Sequence, residues 1–449
     1  MPEAPHPCKL ESPSQGASGS SRRATTLPAP ALDLPARATV TRLALAVALA
    51  GALVGACAAP HRSTDWLTVR EITPPSVDSL AADPAVSADA HGRVAVTWVV
   101  RSPDGARDLW LAVSGDSGAT FESPVRVNAA VGSVMSYPEG RPSTVFGPSG
   151  AMIVAWTSRR AAAGHGVDII TRSSGDGGVT LGAESIVNDD PRAAPAFHGF
   201  PALAFRGDGN VFAAWLDERN LPPIDGERGE SALYCATSRD GGQTWSANRR
   251  LRDTVCACCR PVVATDGREG IALAYRSASR NLRDPALAVS LDGGTTFVSD
   301  TVLHADGWYL EGCPDVGPAL TWNRTGGGQV AWFTGADPAG VYLVPWHVPG
   351  GAAGVRRALA DSLDRATHPR LVPLGDATLV GVEARPAADT TRTVFAVRAL
   401  SPAGALTPWM FLGADIEDGW LTAADARNAF ACWIEGNNHR LRVARLTRR

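Results

Sequence analysis

An apolar strand that ends in an aromatic residue returns at nearly constant intervals, and no other feature of this 449-residue chain limits its fold so strongly. The copies occupy residues 94–98, 152–156, 211–215, 271–275, 329–332, 378–382 and 428–433 and end on Trp98, Trp156, Trp215, Tyr275, Trp332, Val382 and Trp433. Their end positions are 50 to 60 residues apart, a period in the range of propeller blades. Most copies follow a shorter strand introduced by proline, as at Pro84, Pro142, Pro201, Pro261 and Pro318. A turn such as Gly207-Asp208-Gly209-Asn210 joins the two strands with hairpin chemistry. The spacing therefore predicts an all-β propeller over residues 66–449, with seven blades, each a four-stranded antiparallel meander, and six blades as the alternative. Residues 66–72 form a strand with no repeat of its own, while residues 420–446 supply only three strands. Pairing the two would close the ring and hide both sheet edges.

A third strand follows each aromatic, at 108–113, 168–171 and 232–237 for example, and leads into a special turn. The turns read Ser114-Gly-Asp116-Ser-Gly118-Ala-Thr120-Phe121, Ser174-Gly-Asp176-Gly-Gly178-Val-Thr180-Leu181, Ser238-Arg-Asp240-Gly-Gly242-Gln-Thr244-Trp245 and Ser290-Leu-Asp292-Gly-Gly294-Thr-Thr296-Phe297. An Asp in such a turn can accept backbone amides of the turn itself, glycine supplies positive φ, and the aromatic plugs the space between strands. These turns resemble the Asp boxes, S-x-D-x-G-x-T-W/F, of bacterial neuraminidase repeats, and on them the chain resembles the sialidase-like propellers. The resemblance implies that Asp116, Asp176, Asp240 and Asp292 are structural and lie on the face away from any ligand. Units five to seven lack the box, and the family has six blades where this count gives seven.

In a propeller the inner strand of each blade starts where its second strand ends. Residues before the prolines and after the aromatics should therefore converge on one mouth: Arg101, Arg107, Glu139, Arg141, Arg159, Arg160, His165, His198, Asp217, Glu218, Arg219, Arg260, Arg276, Arg283, Asp315 and His368. So many guanidinium groups suit an anionic ligand, since each presents paired donors to a carboxylate. From this set Arg141, Arg219, Arg276, Arg260 and His198 are the candidate ligand-binding residues. The competing reading pairs these arginines with Asp108, Asp168 and Asp284 of neighbouring blades. Sialidases hold the substrate carboxylate with three arginines, attack with a tyrosine activated by a glutamate, and use an aspartate as acid/base. The resemblance implies Arg141, in Gly140-Arg141-Pro142, as a partial match to the family's first arginine motif. It implies Tyr309 with Glu311 as nucleophile and activator, and Asp217 as the acid. Tyr309 beside Trp308 reads equally as a loop anchor.

Beyond Cys57 the chain holds Cys235, Cys256, Cys258, Cys259, Cys313 and Cys432, an even number that points to disulfides in an exported protein. Adjacent Cys258 and Cys259 are too close to pair with one another and should reach different partners. The expected bridges are Cys258 or Cys259 with Cys313, then Cys235 with Cys256, leaving Cys432 as a buried thiol. The alternative is a thiolate-imidazole site for copper or zinc, made by the Cys-x-Cys-Cys run Cys256, Cys258 and Cys259 with Cys313 and one of His198 or His368.

Export is read from the amino terminus. Residues 1–36 are rich in Pro, Ser and Ala without apolar periodicity, a composition that does not fold. Arg37 and Arg42 precede the apolar run 43–55, of signal-peptide length, within a signal segment at 37–57. It ends in Leu53-Val54-Gly55-Ala56-Cys57, which resembles a bacterial lipobox and implies lipidation at Cys57, with an ordinary signal peptide as the alternative. Residues 58–65 read as a linker. A formal net charge of −3 gives no electrostatic reason to expect nucleic acid. The expectation is an exported monomer, lipid-anchored at the cell envelope, that acts on or binds an acidic carbohydrate and needs no cofactor or metal. A non-catalytic protein-binding or structural propeller is the alternative.

Overall fold

A computed structural model describes residues 61–449 apart from 76–79, 161–165, 193, 222–229, 324–325, 350, 352–353 and 437. The predicted leader (1–36), the signal segment (37–57) with Cys57, the first residues of the expected linker and His165 lie outside the described residues. Seven antiparallel sheets follow one another along the chain and close into a seven-bladed propeller, so the six-bladed alternative is discarded.

Blade 1 is built from Leu80–Ala88, Val94–Arg101, Arg107–Ser114 and Val125–Arg126, and blade 3 from His198–Phe205, Val211–Asp217, Glu230–Ser238 and Arg249–Cys256. Blade 2 repeats this order from Ser143–Phe146, with Val134–Met135 as an added strand on Met152–Arg159. Blades 4, 5 and 6 start at Val262–Thr265, Ala319–Asn323 and Leu363–Leu374. In blade 7, Ile416–Ala423, Asn428–Glu435 and Arg440–Arg448 supply three strands, and Leu67–Glu71 from the beginning of the propeller pairs with the last of them, Leu67 opposite Arg448. The expected ring closure is thus made by backbone hydrogen bonds between the two ends. His61–Ser63, inside the expected linker, adds a further strand outside it.

The recurrent aromatic explains why the blades stack. Each faces the preceding blade: Trp156 packs with Val99 and Leu111 of blade 1, Trp215 with Ile153 and Ile169 of blade 2, and Tyr275 with Phe212 and Leu233 of blade 3. Trp98 does the same against Phe430 and Val443 of blade 7. Apolar residues run along both faces of the middle strands because each face meets a neighbour. Removing one of these indoles leaves a void worth about 3–5 kcal/mol. Within the described residues, no helix is long and apolar enough to cross a membrane.

Candidate functional site

The two ends of the propeller are set by chain direction. The inner strand runs away from the mouth, the second returns, and the third runs away again, so a turn after the third strand lies on the far face. All four Asp boxes fall there with one shared geometry. In the first, the Asp116 carboxylate accepts the Thr120 hydroxyl at 2.7 Å, the Thr120 amide at 2.8 Å and the Ser114 hydroxyl at 2.8 Å. The Thr120 side chain, then its amide and Ser114, hold the Asp116 carboxyl at about 2. Asp176, Asp240 and Asp292 repeat these bonds. The third box shows why glycine is needed: Gly242 has φ +94, and a Cβ there would sit 2.6 Å from Ile153 of the blade before.

At the other end, the residues preceding the proline position are Asp83, Arg141, Phe200, Arg260, Gly317, His368 and, where Gly419 replaces proline, Asp418. Asp83, Phe200, His368 and Asp418 adopt left-handed backbone, with φ between +48 and +62, at register shifts of their inner strands. Strained residues of this kind gather at functional sites. Around these positions the blades are tied to one another. Arg141 donates to the carbonyls of Pro84 and Asp418 at 2.8 and 3.0 Å, while Arg260 donates to those of Arg141 and Pro201 at 3.0 and 2.9 Å.

Below this ring, five blades carry Ala85, Ser143, Ala202, Val262 and Ala319, and the other two carry Arg370 and Trp420. The guanidinium carbons of Arg141, Arg260 and Arg370 lie 4.9, 5.2 and 4.6 Å from the Trp420 ring. Approach from blades 2, 4 and 6 onto a residue of blade 7 places the indole at the axis, as the floor of the mouth. Glu139 is fully buried among them; its carboxylate accepts Arg370 at 2.9 Å and the Gly317 amide at 2.8 Å. Burial raises its pKa, but the charges of Arg370, His368 and Arg141 outweigh this and hold it at about 2. Asp315 is the opposite case. The residue is exposed, but partial desolvation of the carboxyl and the neighbouring Glu139 carboxylate push it up to about 6, against the pull of His368. Burial also raises Asp418, helped by the Asp83 and Glu383 carboxylates and opposed by Arg141. Glu383 accepts the Gly419 amide at 2.8 Å and lies 3.6 Å from His368. Among the described residues Asp83 Oδ1, Arg141 Nη2, Arg260 Nη1 and Arg370 Nε find no hydrogen-bond partner, and buried polar atoms left so call for an explanation.

Of the residues expected at the mouth, the structure gathers Glu139, Arg141, Arg260, Asp315 and His368. It places several others elsewhere. His198 is buried 2.7 Å from Asp190 and 3.2 Å from Asp217, and Arg219 bridges Asp217 and Asp189, in a network between blades 2 and 3 that also holds Arg160. Asp217 lies inside this network, where burial raises its pKa but His198 and Arg219 prevail and hold it at about 2. Arg276, 1% exposed, donates to the carbonyls of Val316, Arg283 and Phe333 beneath Trp308 and has no face for a ligand. Arg141 and Arg260, at 1% and 6%, likewise donate mainly to carbonyls. The Tyr309 hydroxyl donates to the Glu311 carboxylate, a bond that raises the phenol pKa; the pair stands apart from the Glu139 cluster, and the ring is 58% exposed.

The cysteines also depart in part from expectation. Cys258 is joined to Cys313, the first expected bridge, but Cys256 is joined to Cys259 three residues away, so the Cys235–Cys256 bridge is overturned. Cys235 and Cys432 are buried free thiols, and burial lifts Cys432 to about 12. The mouth residues Asp83, Glu383, Arg370, Asp418 and Trp420 were missed. Asp83 satisfies the same pre-proline rule that found Arg141, whereas Asp418 and Trp420 are hidden because Gly419 stands in the proline position.

No protein-family profile matches the chain, and no curated protein matches its sequence. Its solved structural neighbours include an ulvan lyase of a polysaccharide lyase family (TM-score 0.51, 11% identity, 83% of this chain and 95% of that one). An α-L-arabinanase of Penicillium chrysogenum (0.47, 14%, 86% and 99%) and a Hadza microbial sialidase (0.45, 16%, 82% and 66%) are also similar. At these identities the likeness is one of propeller fold.

Proposed function

We propose that this chain is a carbohydrate-active propeller that takes a glycan at the mouth bounded by Asp315, His368, Glu383 and Asp418, with Asp315 as proton donor. The observation that carries this is the separation of two neighbouring carboxyls, Asp315 at about 6 and Glu139 at about 2. A proton-holding carboxyl beside ionised partners is the arrangement that acid/base chemistry on a glycosidic bond uses. The carbohydrate-processing names of the ulvan lyase, arabinanase and sialidase agree with the same class of ligand. An acidic glycan was expected from free guanidinium groups. With Arg141, Arg260 and Arg276 committed to carbonyls, a hydroxyl-rich neutral glycan fits the mouth better.

The test is a binding screen on acidic and neutral glycans run beside hydrolysis of fluorogenic glycosides, including a sialoside. Turnover that is lost in Asp315→Asn with binding retained is the expected result; neither binding nor turnover by the wild type would overturn it. Binding without turnover, unchanged by Asp315→Asn, would move the reading to a non-catalytic binding propeller. Export and anchoring through Cys57 belong to the same proposal, and loss of membrane fractionation in Cys57→Ala is the corresponding check.

A further inference from the structure

Four sulfurs meet at the mouth-side start of blade 4. Cys256 ends the last strand of blade 3, Cys258 and Cys259 lie in the turn before Arg260, and Cys313 comes from the loop leading into blade 5. The sulfurs of Cys256, Cys258 and Cys313 all lie within 4.8 Å of one another, and Cys259 is bonded to Cys256. Between the two bridges, Cys256 Sγ and Cys258 Sγ are 3.8 Å apart. Thiolate–zinc bonds of about 2.3 Å in a tetrahedron set neighbouring sulfurs about 3.8 Å apart. The Cys256–Cys258 separation is therefore already that of two thiolates on one ion, with Cys313 and Cys259 held beside them by the two bridges.

We propose that Cys256, Cys258, Cys259 and Cys313 form a binding site for one thiophilic closed-shell cation, zinc(II) or copper(I), whenever they are present as thiolates. The two disulfides and the metal centre are alternative ways of closing the same four sulfurs. Forming both bridges removes electrons and protons to an oxidant, whereas zinc binding releases one proton from each thiol and transfers no electron, so newly made chain can take the metal without a reductant. The surroundings suit a thiolate centre. The Asp315 amide donates to Cys258 Sγ at 3.3 Å, as backbone amides do to metal-bound thiolates. Cys256 and Cys259 are buried while Cys313 is exposed, which gives the ion a route in. His198 is no ligand here, since it is held between Asp190 and Asp217. His368 reaches the Asp315 carbonyl at 3.1 Å and so acts one step outside the sulfurs.

The experiment uses the propeller-containing chain, reduced with a phosphine without oxygen and titrated with cobalt(II) as a spectroscopic probe for zinc. Expected are thiolate-to-cobalt charge-transfer bands and intense tetrahedral d–d bands that saturate at one equivalent and are displaced by zinc. Cys258→Ser and Cys313→Ser should each weaken binding at least about tenfold, while Cys432→Ser, outside the cluster, should leave it unchanged. Zinc should also raise the melting temperature of the reduced chain or, if reduction unfolds it, restore its β-sheet circular dichroism. Absence of the cobalt bands together with no effect of zinc on folding overturns the site, as does full retention of the bands in Cys258→Ser.

Discussion

The two ends of this propeller are built on opposite principles. On the far face one local device is copied four times: each Asp box satisfies its carboxylate from a hydroxyl and an amide four residues on and a hydroxyl two residues back, so the motif is complete within its own turn. At the mouth no single motif is copied from blade to blade, and the charged side chains find their main partners on other blades: Glu139 on Arg370, Arg141 on the carbonyls of Pro84 and Asp418. Repetition marks what holds each blade together, while the unrepeated positions, several of them left-handed and partly unsatisfied, are where the proposed site lies.

The contrast can be tested by breaking each end in turn. The largest effect is expected at Glu139→Gln. It leaves Arg370 buried without a counter-charge, and chemical denaturation should show a loss of about 3 kcal/mol; a loss below about 1 kcal/mol would mean that water reaches this cluster freely. Glycine replacements should sort by face. Gly317→Ala puts a Cβ 2.4 Å from the Arg260 carbonyl and 2.8 Å from Glu139, whereas at Gly241 nothing lies within 4 Å and only the φ of +73 resists. Gly241→Ala should cost about 1 kcal/mol and Gly317→Ala clearly more; equal losses would erase the distinction. Asp240→Ala should cost about 1 kcal/mol, and combining it with Asp116→Ala should give a nearly additive loss, because the boxes are separate.

The pH response should also differ in sign. Box carboxyls at about 2 lie below their unfolded value, so their contribution is complete above about pH 4 and is lost as pH falls toward 2. Asp315, raised to about 6, binds its proton more tightly in the fold, so its contribution is present below about pH 4 and disappears as pH rises through 6. Melting temperature measured against pH should lose the Asp315 part of that second slope in Asp315→Asn, keeping the part due to Asp418, and should keep the first slope. The smallest effect concerns the two thiols outside the cluster: in the oxidised protein Cys235 and Cys432 should resist alkylation until denaturant is added, and then react together.

What could be read from the sequence was the local part. A strand ending in an aromatic buries that ring against the previous blade wherever it occurs, so Trp98 through Trp433 disclosed the blade count without any knowledge of contacts. The Asp boxes were legible for the same reason, since their partners lie within four residues. The pre-proline rule located Arg141, Arg260 and His368, but it could not say that the guanidiniums turn inward to carbonyls, because those carbonyls come from other blades. Nor could it find Asp418 and Trp420, which carry no proline signal.

By itself, then, the sequence determined a seven-fold β-meander, its closure by residues 66–72 and the face on which the boxes lie. Only the assembled ring decided that Asp217 is a clamped ion-pair partner, that Tyr309 stands apart from the Glu139 cluster, and that the Asp315 carboxyl is pushed up to about 6. Chain periodicity governs backbone pairing, but a carboxyl's charge state depends on burial and on neighbours that may stand hundreds of residues away, and these exist only once the blades have closed.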